Sequence, residues 1–176
     1  MMKKLAILLI LLISYAFAVM PQNELQQKFE KAIRGTYNVE NFNLDEIKVS
    51  SEIVEQLSVE MNEGNLFKIS QEKNLIGYAY LGTAPSKKKE FEYVVLFDEN
   101  FIIKKSKVLI YRENYGLQIG TQRWLKQFIG MTPKDNIVYG ENIAAISGAT
   151  ISASSMARAV NDVLQSVNLL QQNNIL

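Results

Sequence analysis

FEYVVLFDENFIIKKSKVLIY, residues 91–111, decides the fold class of this chain. In FEYVVLF (91–97) the residues Phe91, Tyr93, Val95 and Phe97 recur with a period of two, which puts them on one face of an extended strand. Asp98-Glu99-Asn100 is a polar turn, and FIIKKSKVLIY (101–111) then resumes an extended pattern. Upstream, LFKIS (66–70) and LIGYAYLG (75–82) form a second pair of strands across the polar connection from Gln71 to Asn74. Short connections between successive strands imply antiparallel neighbours, so the centre of the protein reads as an antiparallel meander.

Outward from these strands the period changes to that of a helix. NELQQKFEKAIR (23–34) carries Leu25, Phe29, Ala32 and Ile33 at helical spacing, with Gly35 expected to close the helix. A short helix is expected from Ser51 to Leu57, capped by Ser51. TQRWLKQFIG (121–130) puts Trp124, Leu125 and Phe128 on one helical face and ends in Gly130, which marks those aromatic residues as core. The clearest helix is the last: Met156, Ala159, Val160, Val163, Leu164, Val167 and Leu170 follow the i, i+3, i+4, i+7 pattern, with Ser152, Ser154 or Ser155 as its cap. Strands in the middle and helices at both ends make the expected class α+β, a single domain with an antiparallel meander sheet packed by helices.

The N-terminus reads differently. Lys3-Lys4, the apolar run Leu5 to Ile13 and the small-residue end Ala16-Phe17-Ala18 have the order of a secretory signal, with cleavage expected after Ala18; the alternative is an uncleaved anchor over residues 5–20. The expected division is therefore a signal at 1–18, a helical lead-in at 19–64 and the main domain at 65–176, working on the extracytoplasmic side of the membrane, in the periplasm or at the outer face of the inner membrane.

Composition narrows the chemistry by exclusion. The 176 residues include no His and no Cys, which removes Ser-His-Asp and Cys-His catalysis, disulfides, and the commonest metal ligands. A net charge of +1 with scattered lysines gives no basis for nucleic-acid binding. Ser86-Lys87-Lys88-Lys89 reads as an exposed loop, and Glu90 with Glu92 as solvated charge on one strand face. Without a redox-active side chain or metal cluster, any electron chemistry must belong to a bound cofactor.

One loop has the makings of a site. ISGATISASSMARAV (146–160) leads into the last helix, whose first backbone N–H groups and dipole favour an anion such as phosphate. Gly148 and Ala149 allow close approach, and Ser147, Thr150 and Ser152 add hydroxyls. Read from these residues alone, the same letters also suit a plain helix cap.

Ser147-Gly148-Ala149-Thr150, followed by Ile151-Ser152 and an amphipathic helix, resembles the signature of the FMN-binding domain family, known from periplasmic subunits of Rnf and Na⁺-translocating NADH:quinone oxidoreductase complexes. Gly77-Tyr78-Ala79, the strand ending in VLIYREN, and Glu113-Asn114-Tyr115-Gly116 ahead of a Trp- and Phe-bearing helix resemble the family's order of elements, over about residues 65 to 170. The resemblance implies FMN as cofactor, joined through a phosphoester to Thr150 by a flavin transferase that uses FAD. It also implies a membrane redox complex or an exported electron carrier as partner. Glu113, Asn114 and Gly116 would then lie by the flavin, with Arg158 either reaching the phosphate or facing solvent. The function expected is an exported electron-transfer flavoprotein. Ala144, six residues before Thr150 where the family commonly has Asp, is the feature that favours the alternative: an exported module of the same fold without covalent flavin, serving binding or assembly.

Overall fold

The computed structural model describes residues 24–61 and 64–176; the expected signal or anchor lies outside the described residues. Five strands form one sheet in the order β1-β2-β3-β4-β5, each antiparallel to the next: β1 (Asn43–Glu46), β2 (Leu66–Gln71), β3 (Asn74–Pro85), β4 (Glu90–Phe97) and β5 (Ile103–Ile110). Helix α1 covers 24–37, α2 is one turn (Ser51–Val54), α3 is one turn (Gln122–Leu125) continued by a 3-10 turn, and α4 (Thr150–Gln172) is the long one. The α+β class and the meander expected from the alternation are what the molecule has.

The period of two in β4 divides the core. Phe91, Tyr93, Val95 and Phe97 face α4, where Met156, Val160, Val163, Leu164, Val167 and Leu170 are fully buried against them. The alternate residues Val94 and Leu96 face the other way and pack with Ile69, Ala79 and Leu109 under Phe29, Ala32 and Ile33 of α1. Each fully buried side chain of this size contributes about 1.5–3 kcal/mol. The sheet is thus closed on both faces.

Several expectations are corrected. The lead-in is not only helical: β1 lies within it and pairs with β2 from Asn43↔Ser70 to Glu46↔Phe67. Helix α1 runs past Gly35 to residue 37, since an exposed glycine costs a helix only about 1 kcal/mol relative to alanine while the Tyr37 hydroxyl reaches the carbonyl oxygens of Phe97 (2.5 Å) and Tyr78 (3.2 Å). Gly77 makes that reach possible, because a side chain there would collide with the Phe97 carbonyl and the Tyr37 ring. Helix α2 has Ser50, not Ser51, at its N-cap position and ends at Val54. The second strand of the 91–111 stretch starts at Ile103, because Phe101 turns inward at φ +60° and stacks on Tyr78 at 4.0 Å.

Candidate functional site

Helix α4 begins at Thr150, earlier than the serines expected to cap it. Its N-cap is Ala149, no side chain caps it, and Ala153 N–H makes the first bond back, to Ala149. The N–H groups of Thr150, Ile151 and Ser152 therefore fall in the turn that has no intrahelical acceptor. Ser152 is buried, its hydroxyl 3.0 Å from that of Tyr111, so it braces the helix start from inside.

The loop before it alternates between packed and open. Ala149 is buried against Gly116: a side chain on Gly116, which sits at φ +70°, would come within 3.1 Å of the Ala149 Cβ and 3.0 Å of the Tyr111 hydroxyl. The two stretches singled out in the sequence, 113–116 and 147–150, thus meet at a contact only small residues allow. Gly148, at φ +79°, has nothing within 4 Å of where a side chain would start, so it supplies a turn and leaves space. Thr150 is exposed, its Oγ1 held only by a 3.5 Å contact to the Ile146 carbonyl. Upstream, Trp124 Nε1 donates to the Ala144 carbonyl at 2.7 Å and Gln127 accepts from the Ala144 N–H, fixing the approach to the loop.

An open cleft of about 200 Å³ lies over this helix start, lined by Gly148, Ala149, Thr150, Ile151 and Ser152, with Lys87 and Tyr115 opposite. Of the sequence-derived candidates it gathers Gly148, Ala149, Thr150 and Ser152. Ser147 and Asn114 are exposed beside it and do not line it. Glu113 does not line the cleft and serves as an anchor behind it, its carboxylate also hydrogen-bonded to the side chain of Tyr115. It is buried, and its Oε1 accepts from Ser86 Oγ (2.6 Å), Lys88 N–H (2.7 Å) and Lys89 N–H (3.1 Å). Those donors, the Ser86 hydroxyl first, hold its carboxyl at about 2, well below the ordinary 4.5. The sequence places Ser86 to Lys89 in solvent, and the three lysine side chains are exposed; what the sequence does not reveal is that the loop is pinned to Glu113 by its backbone and the Ser86 hydroxyl, and that Lys87 borders the cleft. No local pattern signals bonds between residues 24 to 27 positions apart.

Other candidates resolve simply. Trp124 and Phe128 are core, edge to face at 5.5 Å. Glu92 is engaged by Arg112, Nη2 at 2.6 Å. Arg158 faces solvent at a larger cleft of about 480 Å³ between α4 and the end of β3, beside Tyr80, Gly82, Tyr93 and Asp162. That larger cleft contains neither the uncapped helix start nor the exposed threonine, so size alone does not mark the site. Among the described residues no cluster of potential metal ligands occurs.

Residues 87–165 match the model of the FMN-binding domain family. The chain carries an FMN-binding domain. The matched stretch runs from Lys87, at the cleft, through β4, β5 and the 113–116 turn to Gln165 within α4, so every residue gathered at the cleft belongs to the FMN-binding domain. Strands β1 to β3 precede the match and extend the same sheet. No curated protein matches the chain. FMN is the cofactor the family implies, and the residues present fit its anionic end: an uncapped helix start, an exposed hydroxyl, open space at Gly148 and a lysine across the cleft.

Proposed function

We propose that this protein is an exported electron-transfer flavoprotein whose FMN is joined through a phosphoester to Thr150, and that it passes electrons at the extracytoplasmic face of the membrane to or from a membrane redox complex or an exported carrier. The observation that carries this reading is the placement of Thr150, an exposed hydroxyl at the first turn of an uncapped 23-residue helix, inside the FMN-binding domain.

In the attachment step a flavin transferase brings FAD. The Thr150 Oγ–P bond forms at the FMN-side phosphorus, the pyrophosphate P–O bond breaks, AMP leaves, and the hydroxyl proton passes to solvent. The chain's residues do the holding. N–H groups of Ile151 and Ser152 and the helix dipole stabilise the phosphate charge. Gly148 keeps the approach open, while the Gly116–Ala149 contact and the Tyr111–Ser152 pair fix the loop against β5 and α4. Bound FMN supplies the one- and two-electron chemistry that no side chain here provides. The cleft has room for the phosphate and the chain beside it, so the residues around Tyr115 and exposed Ile151 border the remainder. Leu5 to Ala18 supports the placement outside the cytoplasm.

The test is intact mass of the chain produced with a flavin transferase and FAD. One FMN adduct that survives acid precipitation is expected, and Thr150→Val removes it completely. Retention of the adduct in Thr150→Val moves the attachment elsewhere. A bare polypeptide mass together with no flavin absorbance at saturating FMN overturns the proposal in favour of a binding or assembly module, the reading to which Ala144 points.

A further inference from the structure

The loop joining β3 to β4 contains three consecutive lysines, and the structure treats one of them differently from its neighbours. Lys88 and Lys89 give their backbone N–H groups to Glu113 Oε1, and Ser86 adds its hydroxyl to the same oxygen. Ser86 also closes the loop on itself, donating its N–H to the Lys89 carbonyl at 2.7 Å. The loop is therefore fixed at both ends to a buried carboxylate. Lys87, at its tip, has its ammonium 5.8 Å from the centre of the Tyr115 ring. Tyr115 in turn belongs to the 113–116 turn that packs on Ala149. Lys87 is the one charged side chain among the described residues that line the Thr150 cleft.

We infer that Lys87 is the counter-charge of the phosphate carried by Thr150, and that Glu113 is a positioning residue which, by holding residues 86, 88 and 89, keeps Lys87 over the cleft. This rests on Thr150 as the attachment residue. The helix start and Lys87 both border the cleft in which the anion would sit. The small-residue motif that marks Thr150 says nothing of Lys87, which lies 63 positions earlier and reads as ordinary surface charge.

The experiment compares full-length Lys87→Gln, Lys87→Arg, Glu113→Gln and, as a control at an exposed lysine outside the loop and the cleft, Lys126→Gln with the unsubstituted chain, each labelled by flavin transferase and FAD and followed by intact mass. Lys87→Gln is expected to slow attachment roughly fivefold to tenfold, the range of a charge-assisted contact reduced by solvent screening. Lys87→Arg restores most of the rate and Lys126→Gln leaves it unchanged. Glu113→Gln slows attachment too, through the loop. A second readout separates a phosphate contact from an effect on transferase docking: the ³¹P resonance of the finished phosphoester shifts in Lys87→Gln and stays in place in Lys126→Gln. Attachment of Lys87→Gln at the unsubstituted rate, or an unmoved ³¹P resonance, overturns the role of Lys87 while leaving Thr150 standing. An unsubstituted chain that never acquires flavin overturns both together.

Discussion

The two faces of the sheet are packed by different kinds of residue. Under α4 the strands present Tyr78, Tyr80, Phe91, Tyr93 and Phe97, joined by Phe101, Trp124 and Phe128. Under α1 the buried residues they present are Ile69, Ala79, Val94, Leu96 and Leu109, with Phe29 coming down from the helix onto the partly buried Phe67 ring (5.7 Å) and Tyr37 and Phe42 at the margin. The strand residues buried under α1 are small and aliphatic, whereas those buried under α4 are mostly aromatic. Polar groups sit at the margins of the α4 face: the Tyr111–Ser152 hydroxyl pair, the Trp124 indole on Ala144, and Ser166 Oγ accepting from the N–H groups of Ser58 and Val59. Both clefts border this face. One helix closes the fold from behind while the other leaves its own first turn available for chemistry.

This contrast can be broken by substitution. Phe97→Ala removes a fully buried ring beneath α4 and is expected to cost about 3–5 kcal/mol of unfolding free energy in urea titration. Ile33→Ala, equally buried but under α1, is expected to cost about 2–3 kcal/mol, at the low end for such truncations because fewer residues depend on that helix. Equal costs, or the reverse order, would deny that the α4 face dominates the fold. The smallest effect is the one at its edge. The Glu113 carboxyl, held at about 2 in the folded protein, binds its proton more readily once unfolded, where its value is near 4.5. Its contribution is present above the unfolded value and is lost as pH falls from there toward 2. Melting temperatures of Glu113→Gln should accordingly decline less steeply than those of the unsubstituted chain across that window, and parallel slopes would show that the loop anchor adds nothing to stability.

How much of this was legible in the sequence follows from how local each signal is. The β4 alternation and the apolar stripe of α4 are repeated statements of burial, and both hold in the structure, with Ala157 rather than Ala159 fully buried on the stripe. Strand β1 escaped because NLDE has only Leu44 turned partly inward; it is a strand through its hydrogen bonds to β2, not through its own pattern. The helix expected at 121–130 exists as one α turn and one 3-10 turn, short because the segment follows the α4 face and then turns at Gly130, whose N–H bonds to the Ile103 carbonyl. At the site, Gly148, Ala149 and Thr150 were readable as small residues before a helix. Glu113 was readable as polar but not as an anchor, and Lys87 was not readable at all, since both depend on a hairpin loop folding back onto a distant turn.

The Tyr37 hydroxyl closes α1 onto carbonyl groups 41 and 60 residues further along the chain, through the gap that Gly77 leaves. The first described helix of the protein therefore has no seat until β3 and β4 have paired, and chain order and assembly order run opposite ways. In a refolding reaction sampled by pulsed deuterium labelling, the amides of this helix should gain protection after those of the hairpin, arriving early in synthesis and docking late.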